Sequence, residues 1–268
     1  AWMATATVSS IRIWDPTTAT CRHTLRGHGG GTHVIAPGGA GSWLATAGAD
    51  ATVWIWDPTT GTRRHILYGS HSPITRLAVS PSGDWLAASG TDGSTHIWDP
   101  TTGHHRCHLA HTDNWVAGPV AAPDGTWLAT TGSDLTIRIW DPLTGTCRQI
   151  LGDHPSWITA LTSAPDGTWL AAAAANGRIR IWDTGTGTCR HTLTGNPPTV
   201  VGLAAAPDGT WLAAATHDGT LTVWHPENPD PVAAMRVDAT LTTCLALPDS
   251  RGICLGSTGG ALYNFDLA

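Results

Sequence analysis

The stretch PDGTWLATTGSDLTIRIWDPLTGT, residues 123–146, decides the fold because most of it occurs again elsewhere in the chain. PDGTWLA returns at 165–171 and 207–213, and IRIWD returns at 11–15 and 179–183. A tryptophan followed by Asp or His recurs every 42 residues, at Trp14, Trp56, Trp98, Trp140, Trp182 and Trp224. The pair Phe265-Asp266 comes 41 residues after the last of these tryptophans. Self-similarity at such a period is typical of an array of repeated structural units.

Each repeat divides into short runs separated by turn residues. In the repeat that ends at Trp182 the runs are 147–151, 158–163, 169–174 and 178–183. Pro-Asp-Gly and Asn-Gly between the runs favour tight turns, so we predict four short antiparallel strands. The run Ala171–Ala175 would favour a helix by intrinsic propensity. Its register in the repeat predicts a strand, since equivalent residues follow the same PDGTW.

The composition excludes several classes of function. The 268 residues carry a formal charge of −6 and contain no lysine, so we predict no nucleic-acid partner. No apolar run approaches the roughly 20 residues that cross a bilayer, which predicts a soluble protein without a membrane partner. The six cysteines include no Cys-x-x-Cys pair, which favours a reduced, cytoplasmic setting over a disulfide framework.

The repeats resemble the WD40-repeat β-propeller family, in its highly repetitive bacterial type, over essentially the whole chain. The resemblance implies an all-β fold, a seven-bladed β-propeller of four-stranded antiparallel blades. It also implies a buried hydrogen-bond network of His, Ser or Thr, Asp and Trp within a blade. Two repeats carry all four side chains: His28, Thr46, Asp50 and Trp56 in one, and His111, Thr130, Asp134 and Trp140 in the other.

The network is incomplete in other repeats, where alanine takes the threonine position. The repeat of Trp98 offers His71, Asp92 and Ala88, that of Trp182 offers His154, Asn176 and Ala172, and that of Trp224 offers Asn196, Asp218 and Ala214. One orphaned buried polar group costs about 1–3 kcal/mol. We therefore expect the blades to differ in stability.

A count of strands finds two missing from a complete seven-bladed fold. Residues 1–25 supply the second, third and outermost strands of one blade, and residues 242–266 supply the three inner strands of another. In the family, one N-terminal segment usually carries the outermost strand of the last blade. We therefore expect residues 1–268 to be a single propeller domain, trimmed from or C-terminal in a longer protein. It would be a monomer or an assembly in which another chain completes the strands.

Most aspartate and histidine side chains occupy structural positions of the repeat, and few are left that could act in catalysis. We therefore predict no catalytic residue, no enzyme activity and no cofactor. The densest polar cluster is His104, His105, Cys107, His108 and His111. Histidine and cysteine are good zinc or copper ligands. Alternation along a strand points His105 and Cys107 away from His108, so we predict no metal site.

Arginine recurs on the outermost strands, at Arg22, Arg64, Arg106, Arg148 and Arg190. One interpretation is a belt that binds an acidic partner. The other, which we favour, is protection of the sheet edges against pairing with other strands.

Three tryptophans depart from the repeat. Trp54 takes a position that arginine holds in other repeats and should pack on a blade flank. Trp115 and Trp157 come just before the innermost strands of adjacent blades, which the resemblance places on the face where partners commonly dock. Tryptophan is enriched at interface hot spots, although a rim tryptophan can also simply cover its neighbour. The candidate partner-binding residues are Trp115, Trp157, Asp113, Thr159, Arg76, His33 and His217.

The most consistent function is a non-catalytic scaffold or sensor module that binds a protein or peptide. The lack of lysine, with abundant Ala, Gly, Thr, Arg and Asp, is typical of high-GC bacterial genes. Similar bacterial arrays belong to larger signalling proteins of the NTPase or kinase type. The alternative is a small-molecule or glycan binder that uses the central channel and the aromatic rim.

Overall fold

The chain is described by a computed structural model that covers residues 1–109, 118–195, 199–247 and 252–266. These residues form 26 β-strands and one short 3-10 helix, Gly39–Gly41. The strands pair into seven antiparallel sheets, numbered here 1 to 7 in chain order. No helix in the described part of the chain is long and apolar enough to cross a membrane.

The strands of the first four sheets follow one another along the chain. Sheet 1 contains β1 (Met3–Ala6), β2 (Ser10–Asp15) and β3 (Thr20–Arg26). Sheet 2 contains β4 (Thr32–Pro37), β5 (Leu44–Gly48), β6 (Val53–Trp56) and β7 (Arg63–Leu67). Sheet 3 contains β8 (Ile74–Val79), β9 (Leu86–Gly90), β10 (Thr95–Trp98) and β11 (His105–Leu109). Sheet 4 contains β12 (Val120–Ala121), β13 (Leu128–Thr131), β14 (Ile137–Trp140) and β15 (Cys147–Leu151).

The remaining three sheets have the same strand order. Sheet 5 contains β16 (Ile158–Ser163), β17 (Trp169–Ala174), β18 (Ile179–Asp183) and β19 (Cys189–Leu193). Sheet 6 contains β20 (Val200–Ala205), β21 (Leu212–Thr216), β22 (Thr220–Trp224) and β23 (Pro231–Arg236). Sheet 7 contains β24 (Leu241–Ala246), β25 (Gly252–Ser257) and β26 (Leu262–Asp266).

The predicted fold class, a seven-bladed β-propeller of antiparallel blades, is confirmed by these seven sheets. Sheets 1 and 7 have three strands each within the described residues, as the count of strands in the sequence predicts. The boundaries of the sequence repeats and of the sheets differ by one strand. The strand that follows each Trp-Asp pair, such as β15, is the outermost strand of the sheet that contains that pair.

The alanine run is a strand, as its register predicts. Ala171 to Ala174 lie in β17 and are completely buried, and the first three of them pair with both β16 and β18. Their small side chains allow close packing on both faces of the sheet, which outweighs the helical preference of alanine.

The chain divides into two compact units. Unit 1 comprises residues 1–134 and 138–148, and unit 2 comprises residues 135–137 and 149–268. In each unit the apolar side chains cluster between consecutive sheets. In unit 1, for example, Trp43, Ile55 and Leu67 of the sheet 2 region pack with Ile74 and Trp98 of sheet 3. In unit 2, similar clusters join sheets 5 and 6 and sheets 6 and 7. Burial of one such side chain contributes about 1.5–3 kcal/mol.

All six cysteines lie in the described residues and none forms a disulfide. Four of them fall in the outermost strands at related positions of the repeat: Cys21, Cys107, Cys147 and Cys189.

Candidate interaction surface

One backbone contact recurs at the same place in five sheets. The residue before the innermost strand accepts a hydrogen bond from the turn between the second and third strands of its own sheet. We call the accepting residues the rim positions. The contacts are Ala49 N to Gly31 O (3.2 Å), Thr91 N to Pro73 O (3.0 Å), Ala175 N to Trp157 O (2.7 Å), His217 N to Thr199 O (3.1 Å) and Thr258 N to Thr240 O (3.0 Å).

Trp157 is the aromatic residue among these described rim positions. Its carbonyl oxygen is held by Ala175, while 60% of the residue is exposed. The backbone is therefore fixed by the sheet and the indole ring faces solvent. A large rigid side chain presented in this way loses little conformational entropy on contact with a partner.

Thr159 and His33, two other candidate residues, make hydrogen bonds between sheets. Each is the extra residue of a β-bulge near the start of an innermost strand. Thr159 Oγ1 donates to Val200 O at 3.0 Å, and His33 Nδ1 lies 3.2 Å from Ile74 O. The bulge aims each side chain at the next sheet, which gives both residues a structural role that their sequence does not reveal.

Arg76 and His217 are exposed, in unit 1 and unit 2 respectively. Arg76 Nη1 donates to Thr75 O at 2.9 Å, and its side chain lies against Gly118. Trp115 and Asp113 lie outside the described residues. In unit 2, Trp157 and Thr159 therefore stand together at the start of β16.

Sheet 2 brings together the four side chains of the network that the resemblance implies. His28 Nδ1 lies 2.9 Å from Asp50 Oδ1, and His28 Nε2 lies 2.9 Å from Thr46 Oγ1. Trp56 Nε1 donates to the same Thr46 oxygen at 3.0 Å. Burial raises the pKa of Asp50, but hydrogen bonds from Thr52 and His28 outweigh it and leave the pKa below its usual value.

Trp54 covers this network from the flank of the sheet. Its ring centroid lies 4.2 Å from that of His28, and the guanidinium of Arg63 lies 4.5 Å from the ring centroid on which it stacks. Trp54 thus has the packing role expected of it.

Sheet 4 contains the other predicted network, of which three members are described. Trp140 Nε1 donates to Thr130 Oγ1 at 2.7 Å. Asp134 forms an ion pair with Arg138 at 2.6 Å. His111, the fourth member, lies outside the described residues.

Sheets 3 and 6 satisfy their tryptophans differently, because alanine replaces the network threonine. Trp98 Nε1 donates to Tyr68 O and Trp224 Nε1 donates to Thr194 O, each at 3.1 Å. His71 is exposed. The repeat makes His71 equivalent to His28, but His28 is buried and His71 is not.

Sheet 5 leaves its buried polar groups unsatisfied. Three nitrogen atoms, His154 Nε2, Arg180 Nε and Trp182 Nε1, are buried and have no hydrogen-bond partner among the described residues. His154 is 4% exposed, and its ring centroid lies 5.5 Å from that of Trp182. Burial, together with the nearby charge of Arg180, lowers the pKa of His154 to about 4.

The outer-strand arginines are paired within their own repeats. Each guanidinium contacts the aspartate of the preceding Trp-Asp pair, seven residues earlier. The pairs are Asp15–Arg22 (2.5 Å), Asp57–Arg64 (2.6 Å), Asp99–Arg106 (3.2 Å), Asp141–Arg148 (2.6 Å) and Asp183–Arg190 (2.5 Å). The hydrogen bond from Arg64, with those from the backbone of Thr59 and Thr60, lowers the pKa of Asp57 to about 2. These arginines therefore do not form a continuous belt of unpaired positive charge.

The histidine cluster of sheet 3 includes a residue that sequence reasoning overlooked. His96 Nδ1 lies 3.0 Å from His105 Nε2, and the His96 ring centroid lies 4.7 Å from that of His108. The expectation that strand alternation separates His105 from His108 is therefore wrong, because a bulge between them interrupts the alternation. No group of three or more His, Cys, Asp or Glu side chains in the described ranges is arranged to hold a metal ion. Alignment of the repeats could have found His96, since it occupies the place of Trp54 and Arg138.

Comparison with known proteins agrees with this repeat structure. The profile of the family described as "WD domain, G-beta repeat" matches residues 19–57, 61–99, 103–141, 145–183 and 187–225. These five matches cover more than half of the chain and coincide with the repeats that end at Trp56 through Trp224. No curated protein matches the chain significantly.

Proposed function

The chain belongs to the WD40 repeat family, and on that premise we propose that it is a non-catalytic module that binds a protein or peptide partner around Trp157. Repeats of this family generally serve as scaffolds for protein–protein interaction and are typically non-catalytic. The observation that carries the proposal is the 60% exposure of Trp157 on a backbone held by Ala175.

The energetics favour this position over the other exposed apolar residues. Truncation of a tryptophan at the centre of an interface typically costs about 2 kcal/mol or more. The exposed Ile150 and Val232 lie on outermost strands, where aliphatic side chains offer less area. Trp157 combines the largest side chain with a loop position, and binding residues commonly occur on loops that a rigid scaffold holds in place.

The charged residues support a non-catalytic role because the fold already uses them. Aspartates of the Pro-Asp-Gly turns accept hydrogen bonds from the threonine two residues later, as Asp166 does from Thr168 at 2.8 Å. Aspartates of the Trp-Asp pairs hold arginines and cap turns. Such carboxylates stabilise turns and are poorly placed to act as a paired acid and base.

We include in the proposal a cytoplasmic, bacterial setting within a larger signalling protein of the NTPase or kinase type. The high-GC composition supports the bacterial origin. The proposal places a segment of the parent protein against β1, where Trp2, Met3, Ile35 and Pro37 line an apolar groove of about 560 Å³.

Selection from a phage-displayed peptide library would test the binding proposal. The wild-type protein is the target, and enriched peptides are then measured against Trp157→Ala. We expect the dissociation constants to rise by about tenfold or more, as for a hot-spot tryptophan. Ile150→Ala is the matched control, since Ile150 is also 60% exposed but lies on β15.

Two outcomes would contradict the proposal. Peptides that bind Trp157→Ala as well as wild type would place the binding surface elsewhere. A glycan array bound by the wild type and lost in Trp157→Ala, with no peptide enriched, would favour the glycan-binding alternative.

A further inference from the structure

The turn between the second and third strands of sheet 5 has an inverted charge. In sheets 2, 3, 4 and 6 this turn carries an aspartate followed two residues later by a hydroxyl side chain: Asp50 and Thr52, Asp92 and Ser94, Asp134 and Thr136, Asp218 and Thr220. Sheet 5 has Asn176 and Arg178 in these places. Relative to its counterparts, the turn has lost one negative charge and gained one positive charge.

The removal of the carboxylate also leaves a second arginine unpaired. In sheet 4, Asp134 forms an ion pair with Arg138 at 2.6 Å. Arg180 holds the place of Arg138, but Asn176 is neutral and uses its Oδ1 to accept from Arg178 N at 3.2 Å. Neither Arg178 nor Arg180 forms an ion pair with any residue of the described ranges.

The surroundings of Arg180 add unsatisfied donors to this positive charge. Arg180 Nη1 donates to the backbone oxygen of Asp153 at 2.5 Å, and its buried Nε has no hydrogen-bond partner among the described residues. Trp182 Nε1 is also unpartnered, and its ring centroid lies 6.0 Å from the guanidinium carbon. Asp153, whose backbone oxygen Arg180 contacts, is the acidic residue beside these two arginines, and it is exposed. Two arginines against one aspartate make a locally basic surface in a chain of net charge −6.

This basic turn is directly joined to the rim position of Trp157. Ala175, the residue before Asn176, donates its backbone N–H to Trp157 O at 2.7 Å. Arg178 is exposed and Arg180 is partly exposed. Sheet 5 thus holds an exposed tryptophan before β16, an exposed arginine in the adjacent turn and a partly exposed arginine near the start of β18.

We infer that this part of sheet 5 is the docking surface for an acidic peptide segment of a partner protein. Carboxylates of the segment pair with Arg178 and Arg180, and an apolar side chain beside them covers Trp157. Arginine binds carboxylates through paired hydrogen bonds, and complementary charge supplies specificity and a faster association rate. The inference rests on the proposed function, because it names the kind of partner that the Trp157 surface takes.

Fluorescence anisotropy with two labelled peptides would test it. The probes are a peptide of about ten residues that alternates glutamate with leucine, and its glutamine–leucine counterpart of equal length. We expect the glutamate peptide to bind about tenfold more tightly than the glutamine peptide at low salt. The difference should shrink when the salt concentration rises from about 50 to about 300 mM.

The double variant Asn176→Asp with Arg178→Thr copies the Asp-Gly-Thr turn of sheet 6, residues 218–220, and should fold, because the chain already contains that turn. It should weaken binding of the glutamate peptide by about tenfold. Arg26→Asp is the matched control, since it changes the net charge by the same two units on the exposed end of β3. Equal loss in both variants would reduce the effect to overall charge and overturn the inference.

The same experiment separates this inference from the proposed function. If selected library peptides need Trp157 while the glutamate and glutamine peptides bind alike, the partner is not acidic and the interaction module stands. If the glutamate peptide binds in an Arg178-dependent manner but Trp157→Ala has no effect, both proposals fail in the form given.

Discussion

A single hydroxyl group decides whether two buried side chains are satisfied. In sheet 2, Thr46 Oγ1 contacts both His28 Nε2 and Trp56 Nε1. In sheet 5, Ala172 takes the equivalent place, and His154 Nε2 and Trp182 Nε1 have no partner in the described chain. The repeat thus contains its own comparison between a complete and an incomplete network.

Ala172→Thr should stabilise the protein by restoring these contacts. The threonine hydroxyl would accept from Trp182 and bond to His154, and a net hydrogen bond contributes about 0.5–1.5 kcal/mol. Denaturant unfolding measures the change in the free energy of unfolding. Ala172→Val has the same shape without the hydroxyl, so equal stability of the two variants would attribute any gain to packing.

His154 should make stability depend on pH. Its pKa in the folded protein is about 4, below the ordinary value of 6.5, because burial and Arg180 disfavour the charged ring. The unfolded chain therefore binds the proton at higher pH than the folded chain does, and the free energy of unfolding falls as pH decreases from about 6.5 to about 4. His96, whose pKa is also about 4 through burial and the neighbouring His108, acts in the same direction.

Unfolding curves measured between pH 7 and pH 4 would check this, as His154→Gln should reduce the slope of stability against pH. His104→Gln controls for the loss of an exposed histidine. A slope that is unchanged in His154→Gln would show that this residue does not contribute.

Within a sheet, the outermost strand is organised by a bulge. Arg22, Arg64, Arg106 and Arg190 are the extra residues in the pairing of the third and fourth strands. The bulge aims each guanidinium at the aspartate that begins the preceding turn. Exposed pairs of this kind contribute little to stability, but they place charge on an edge that could otherwise pair with another chain.

Sheet 6 lacks this device. His225 replaces the aspartate, and the bulged residue of β23 is Val232. All six residues of β23 are exposed, with Val232 at 64% and Met235 at 42%. An outermost strand that is apolar and unpaired is a site for edge-to-edge association.

The double variant His225→Asp with Val232→Arg should reduce concentration-dependent association. It recreates the pair of Asp183 and Arg190, and we expect the free energy of unfolding to change by less than about 1 kcal/mol. Light scattering over a concentration series measures the association. Val232→Thr, which removes the apolar side chain without adding charge, separates the two causes, and a double variant that associates like the wild type would contradict the prediction.

Across the chain, two of the seven sheets have three strands each within the described residues. β1 ends sheet 1 on one side and β26 ends sheet 7, within the described residues. Unpaired backbone groups on these edges favour an additional strand. The proposal of a module within a longer protein places additional strands against these edges.

The mass of the native polypeptide would test that proposal. We expect a mass above the 28.0 kDa of these residues, with additional sequence that reads as an outer strand followed by an inner strand. N-terminal sequencing identifies that segment. A native mass of 28.0 kDa would mean that the strands, if supplied at all, come from another chain.

The repeat pattern predicted the number of sheets, the strand bounds to within a residue or two in the repeat of Trp182, and the strand state of the alanine run. These features depend on local propensity, turn residues and periodic burial, and short segments of the sequence are enough to recognise all three. The candidate position of Trp157 also followed from the repeat, as a departure from it. The ion pairs of the outer-strand arginines did not follow from the repeat. The sequence does not show that a bulge turns each arginine side chain toward the aspartate seven residues earlier.

Sequence alone was therefore sufficient for the fold class, because the 42-residue period with regular turns predicts four-stranded sheets and the resemblance to the WD40 family implies that they form a propeller. Only the tertiary structure decided which polar groups are satisfied. Hydrogen bonds between residues 10 to 40 positions apart depend on atomic distances that differ between near-identical repeats. Those differences leave Arg180, His154 and Trp182 with unpaired nitrogens beside an exposed tryptophan, and they make sheet 5 unlike its neighbours.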